Sequence, residues 1–205
     1  MLAHFYHVYA DGVWEAPVEE HLHALTVSGL LENLDDVFVG IVGSRENRAA
    51  VKERFPAVVI AEADTGWEQL TLLKLHDYAM KHEGKIFYAH TKGAFMPGTL
   101  RDKWRQAMTY DTVTRWVDCV EALDSHDMAG SFWMTSDRDE HKNHKSFFGG
   151  NFWWANTHYL RSLSRVGTDD RWQAEGWVGL LNPSVKVLRN GLPTAGNFGV
   201  PHAVV

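Results

Sequence analysis

A single cysteine, Cys119, stands in a chain of 205 residues. An internal disulfide and a cysteine-built zinc cluster are thereby excluded. Long apolar runs are also missing, since none approaches the roughly 18 to 20 residues that span a bilayer. The opening Met1-Leu2-Ala3-His4 lacks the basic and then apolar regions of a secretory signal, so the expectation is a cytoplasmic protein without a transmembrane segment. Positive charge is scarce: 20 Lys and Arg against 26 Asp and Glu give a net charge of −6. Proteins that grip duplex DNA usually carry a basic excess, so duplex binding is disfavoured as the main activity, although a local basic groove is not excluded. No dinucleotide fingerprint and no P-loop follows any strand-like segment, which argues against a dehydrogenase or a P-loop enzyme. There is no internal repeat and no low-complexity linker.

What is present is ordinary globular composition, 45% hydrophobic and 22% charged. A single domain over residues 1–205 is expected, with a change of character near residue 98. In the first half, short apolar segments (4–9, 37–42, 57–61 and 86–89) alternate with helical spacing over 18–34, 45–55 and 67–82. Strands this apolar have no wet face, so the rhythm implies a mostly parallel sheet covered by helices. The second half reads as a long helix over 100–123, strands over 128–135 and 147–155, helices over 157–163 and 170–181, and a last strand over 185–188. Nine tryptophans and twelve histidines are conspicuous, with most of the tryptophans in this half. Aromatic faces suit sugar rings or bases, but tryptophan is also a large core residue.

In parallel sheets ligands gather at the carboxyl ends of the strands. The tails to watch are Tyr9-Ala10-Asp11-Gly12, Val42-Gly43-Ser44-Arg45, Glu62-Ala63-Asp64-Thr65 and His90-Thr91-Lys92-Gly93. His90 and Lys92 share a face if the strand persists. A lysine there offsets diphosphate charge, and a histidine donates a hydrogen bond or moves a proton. Arg101 and Arg105, four apart on a helix, either add to that cationic pocket or form a solvated surface. Gly149-Gly150-Asn151 before an aromatic strand allows close approach of a ligand, with Asn151 suited to hydroxyl recognition and Trp153 and Trp154 shaping the pocket. In Arg171-Trp172-Gln173-Ala174-Glu175-Gly176-Trp177, the carboxylate of Glu175 sits between tryptophans. It is a candidate general base, or else half of an intrahelical pair with Arg171.

Taken in order, Tyr88-Ala89-His90-Thr91-Lys92-Gly93, Arg101-Asp102-Lys103-Trp104-Arg105, Gly150-Asn151-Phe152-Trp153-Trp154-Ala155 with Tyr159-Leu160, and Arg171 with Glu175-Gly176-Trp177 resemble a group of bacterial and phage glycosyltransferase-like proteins. Their best-known relatives are associated with surface-polysaccharide synthesis. The resemblance spans roughly residues 3–190, with its sharp motifs between 86 and 177. It implies a GT-A-like fold, a nucleotide-sugar site in residues 1–98 and an acceptor and catalytic half in residues 99–205. On that reading Tyr9, Asp11, Ser44 and Asp64 lie near the nucleotide, and His90, Lys92 and Arg101 face the diphosphate. Asn151, Trp153, Trp154 and Arg171 contact sugar and acceptor, and Glu175 is the base of an inverting transfer. One departure matters. Enzymes of this fold usually end the fourth strand with a metal-binding Asp-x-Asp, and here the place reads His90-Thr91-Lys92. Cationic side chains are then expected to replace a metal, with Mn²⁺ or Mg²⁺ on Asp137, Asp139 and His202 as the alternative. The expected partners are a nucleoside diphosphate sugar and a hydroxyl acceptor, a glycan before a protein or modified DNA. The competing readings are a non-catalytic carbohydrate-binding or degenerate transferase domain and a transferase acting on a modified nucleic-acid base.

Overall fold

The computed structural model describes residues 1–135 and 146–200. Nine strands are described: β1 Leu2–Tyr9, β2 Asp36–Val42, β3 Val58–Ala63, β4 Lys85–His90, β5 Met128–Ser131, β6 Trp133–Thr135, β7 Ser146–Phe148, β8 Trp153–Asn156 and β9 Val185–Arg189. The helices are α1 Glu15–Val27, α2 Leu30–Asn33, α3 Arg45–Arg54, α4 Gln69–Ala79, α5 Thr99–Thr109, α6 Trp116–Ala122, α7 Thr157–Ser162 and α8 Trp172–Gly176. Seven strands form one sheet in the order β3-β2-β1-β4-β8-β5-β9, and β6 pairs with β7 in a small second sheet. β1, β2, β3 and β4 run parallel, β8 runs antiparallel between β4 and β5, and β9 is parallel to β5. The expected mostly parallel α/β sheet is the observed architecture. Among the described residues no helix is long and apolar enough to cross a membrane.

Alternation along the central strands sends side chains into two separate cores. Tyr6, Val8, Phe87, Ala89 and Trp154 pack on one face with residues of α1, α3, α5 and α6. Ala3, Phe5, Ile86, Tyr88 and Trp153 pack on the other with α4, α7 and α8. Both layers exclude water, which is why the strands read as continuous apolar runs.

Four segments expected to be unbroken are interrupted. The helix anticipated over 18–34 starts at Glu15 and breaks at Gly29, whose φ of 72° is the left-handed conformation glycine tolerates. The helix anticipated over 100–123 contains a π-helical turn, Tyr110–Thr114. That turn aims Asp111 inward, where Ser131 Oγ donates to Oδ2 at 2.6 Å and Arg189 donates to both oxygens at 2.7 and 3.0 Å. π-Turns inside helices recur where a side chain must be re-aimed in this way. The strands anticipated over 128–135 and 147–155 each leave the main sheet for the small one. They bend together at Phe132 (φ 59°) and Asn151 (φ 59°), and Gly149 N donates to Phe132 O at 2.9 Å.

Candidate functional site at the carboxyl edge of the sheet

The tails of β1 and β2 meet at the start of α3. Asp11 Oδ1 accepts from the backbone N–H of Ser44 at 2.7 Å and from Asn47 Nδ2 at 3.1 Å. The Ser44 backbone bond, more than any other contact, holds the Asp11 carboxyl below the usual range. Ser44 is itself the N-cap, accepting from Asn47 N. Asp64, on the tail of β3, is ion-paired with Arg48 at the surface. These three residues therefore reach the expected edge, but each carries a structural contact there. Tyr9 ends β1, and its ring meets Phe95 edge-on at 5.6 Å. The loop after β1 lies directly against the loop after β4: a Cβ on Gly12 would fall 2.1 Å from the carbonyl oxygen of Ala94.

At the end of β4, His90 and Lys92 do not share a face. The strand stops at His90, and Lys92 N turns back to His90 O at 2.7 Å. Lys92 Nζ lies 4.1 Å from the Trp104 ring centroid, a cation–π contact. Arg101 Cβ is 3.5 Å from where a Gly93 Cβ would stand, so Arg101 borders the same loop. Arg105 is a structural clasp and not a pocket cation. It is 5% exposed, bonded to Glu20 and Asp102, and holds the carbonyl of Lys92 at 2.9 Å.

The expected aromatic pocket is corrected by burial. Trp153 and Trp154 are fully enclosed on opposite faces of the sheet, stacked on Tyr88 and Phe87 at 5.1 Å each. Neither presents a face to a sugar. Their N–H groups are satisfied internally, by Asn151 Oδ1 and Thr112 O, both at 2.8 Å. The glycines before them make room for protein rather than ligand: a Cβ at Gly149 would meet Met134 Sδ at 2.7 Å and one at Gly150 would meet Met108 Sδ at 2.5 Å. Asn151 is fully buried, so its amide orients a neighbour and does not reach a ligand.

That neighbour is Glu68, which the sequence reading missed. Glu68 sits at the head of α4, and its Oε2 accepts from Asn151 Nδ2 at 2.7 Å and from Tyr88 O–H at 2.8 Å. Oε1 lies 3.6 Å from His90 Nδ1. Behind them, His7 pairs in register with His90 across β1 and β4, and its Nδ1 is 2.8 Å from Thr71 Oγ1. Burial pushes His7 and His90 down to about 4, and drives the Tyr88 hydroxyl well above its ordinary range. Glu175, in α8, acts electrostatically on both Tyr88 and His90. Asn151 Nδ2 also touches the same helix, at Ala174 O, 3.5 Å away. Arg171 lays its guanidinium 4.3 Å from the Trp172 ring centroid. The candidate site thus brings together His90 at the end of β4 and Glu68 at the head of α4, with Lys92 and Arg101 on the adjoining loop and helix and Glu175 of α8 within electrostatic reach.

Asp137, Asp139 and His202 lie outside the described residues. Among the described residues no three His, Cys, Asp or Glu side chains are grouped to hold a metal ion. Lys92 puts a cation where a metal-binding carboxylate would be needed. Among the described residues the donor set does not fit a divalent ion.

A family model described as a domain of unknown function (DUF8361) matches residues 5–179. No curated protein matches the sequence. Among solved structures the chain is similar to 4-diphosphocytidyl-2C-methyl-D-erythritol synthase from Anaerococcus prevotii, with a TM-score of 0.51 and 9% identity over 97% of this chain and 94% of that one. A second 4-diphosphocytidyl-2C-methyl-D-erythritol synthase gives a TM-score of 0.51 and 11% identity over 98% and 93%. HddC from Yersinia pseudotuberculosis gives 0.50 and 7% over 91% and 89%. At such identities the likeness is one of fold: the whole chain shares its sheet architecture with these proteins.

Proposed function

We infer that this chain, which belongs to the DUF8361 family, is a transferase that takes a sugar from a nucleoside diphosphate and passes it to a hydroxyl acceptor. The observation that carries this reading is the pairing of Glu68 with His90 at the carboxyl end of β4, with Lys92 on the loop that follows and Glu175 within electrostatic reach. The shared architecture with proteins whose names describe a cytidyl diphosphate product supports it. The nucleotide would lie over the tails of β1, β2 and β3, beside Tyr9, Asp11, Ser44 and Asp64. Lys92 and Arg101 would offset the diphosphate charge as point charge and guanidinium respectively. Arg171, on the other half, would face the acceptor.

The reaction is a single displacement. The acceptor oxygen bonds to the anomeric carbon as the carbon–oxygen bond to the diphosphate breaks. The acceptor proton passes to the Glu175 carboxylate, and the nucleoside diphosphate leaves with the bonding pair. A sugar hydroxyl is a poor nucleophile at neutral pH, so a carboxylate in reach is what the chemistry requires. One face of attack and one base give inversion. The acceptor proposed first is a glycan.

A second reading, nucleotidyl transfer, is favoured by the similarity in fold to two 4-diphosphocytidyl-2C-methyl-D-erythritol synthases. Titration calorimetry with UDP, GDP, CDP and their sugars tests the first reading, and binding to none of them at millimolar concentration would overturn it. Pyrophosphate release from a nucleoside triphosphate and a sugar phosphate, without sugar transfer, would establish the second.

A further inference from the structure

Glu68 and His90 stand in a relation that their own hydrogen bonds leave incomplete. Glu68 Oε2 already accepts from Tyr88 and Asn151. His90 Nε2 is 2.9 Å from the carbonyl oxygen of Gly150. A carbonyl oxygen only accepts, so Nε2 carries the proton. A ring with its pKa held near 4 by burial has no second proton at neutral pH. Nδ1 therefore presents a lone pair toward Glu68 Oε1, 3.6 Å away. Two acceptors face each other, and neither can donate to the other. Both side chains keep some surface open, 13% for His90 and 17% for Glu68.

We propose that Glu68 Oε1 and His90 Nδ1 form a paired acceptor that binds a vicinal diol, each taking a hydrogen bond from one of two adjacent hydroxyls. The chemistry selects this ligand. An anion is repelled by the Glu68 carboxylate. A divalent cation lacks a third ligand among the described residues, and Lys92 already acts on the same imidazole. A neutral donor of two hydrogen bonds satisfies both acceptors without adding charge. A ligand lacking one hydroxyl leaves one of these partly open acceptors without its donor and binds more weakly. Two sources supply such a diol, a sugar ring or the ribose of a nucleotide. That a saccharide fills the place rests on the transferase reading above.

The test is Glu68→Gln. The amide oxygen keeps the bonds from Tyr88 and Asn151, while the amide nitrogen takes the place of Oε1 and donates to His90 Nδ1. The pair is then closed from within. The variant is expected to melt no lower than wild type and about 2–4 °C higher if the new bond has ordinary strength. The ¹⁵N resonance of His90 Nδ1 in the wild type should shift on adding methyl hexopyranosides or ribonucleosides, and should not respond in Glu68→Gln. A shift with glycosides assigns the sugar ring. A shift with uridine or cytidine but not their 2′-deoxy forms assigns the ribose. No shift with either class, an equal shift in both proteins, or a melting temperature several degrees lower in the variant overturns the proposal. Calorimetry with nucleoside diphosphates reports separately on the transferase reading, so a diol response without nucleotide binding would remove that reading and leave the paired acceptor standing.

Discussion

The two halves of the carboxyl edge use polar residues in opposite ways. Over β1, β2 and β3 the polar tails are exposed and mutually engaged: Asp11 caps α3 from outside, Ser44 caps it from within, and Asp64 pairs with Arg48. At β4 the polar groups are drawn into the protein, and hydrogen bonds from Tyr88 and Asn151 hold Glu68 against His90. An exposed polar tail loses little by making a local contact, because water would serve as well. A buried carboxylate and imidazole are costly to desolvate, and they persist only where surrounding donors hold them. Electrostatic stakes are therefore higher at β4, where the proposed chemistry is placed.

The strongest test of that contrast is Glu175→Gln, which keeps the shape of the side chain and removes its basicity. Turnover should fall by about 10² to 10⁴ with donor affinity nearly unchanged, measured by initial rates and calorimetry. Donor binding that collapses together with turnover would move Glu175 to the nucleotide side of the edge. Unchanged turnover would place the base elsewhere, with Asp169 or Asp170 next to be changed.

Acid should expose the buried half next. His4, His7 and His90 are held at about 4 by burial, and His21 lies well below its ordinary value for the same reason. His4 and His21 touch each other at 2.8 Å inside the opposite core. A histidine with a lower pKa folded than unfolded binds its proton preferentially in the unfolded chain. Stability is therefore full above about pH 6.5 and is lost as the pH falls toward 4. The loss approaches about 1.4 kcal/mol per pH unit for each such histidine. Melting temperatures recorded between pH 7 and 4 check this, and a flat profile would contradict the neutral buried rings.

A smaller effect is expected at the junction of the two halves. Lys92→Ala should weaken nucleoside diphosphate binding by about 10- to 100-fold, the range of a charge-assisted contact. EDTA should leave most of the turnover intact. Complete loss in EDTA with recovery on Mn²⁺ would shift attention to Asp137, Asp139 and His202. The smallest effect belongs to the exposed half: Ser44→Ala should cost about 1 kcal/mol of stability in chemical denaturation, as the loss of a helix cap does. A matching loss of nucleotide affinity without destabilisation would show that Ser44 contacts ligand.

Much of the framework was legible in the chain. Apolar segments of strand length, separated by helical spacing, located β1 to β4 and the helices between them, since a sheet covered on both faces leaves a hydrophobic trace at every strand position. The tail His90-Thr91-Lys92 was legible as the polar end of β4, because polar residues directly after a buried strand must emerge at its edge. The break at Phe132 was not legible, since a bulky residue in left-handed conformation is selected by the neighbouring sheet and not by its own propensity, whereas Asn151 is of a type that tolerates it.

Sequence by itself determined the alternation of elements, the apolar strands, the single cysteine that excludes an internal disulfide, and the lack of a P-loop or dinucleotide motif. Only the tertiary structure decided which polar residues were still available. Arg105 and Asn151 have the right chemistry for ligands, yet their hydrogen bonds are taken by partners up to 85 residues away, while the exposed Asp11 and Ser44 spend only part of theirs on α3. Trp153 and Trp154 have sugar-sized faces, but the two layers of helices close over them. Glu68 looked like an ordinary acidic residue at a helix start, favourable to the helix dipole. Its position against Tyr88, His90 and Asn151 arises because α4 crosses the sheet and brings its head to β4. Hydrogen-bond satisfaction and burial are properties of contacts between distant segments, and no local pattern encodes them.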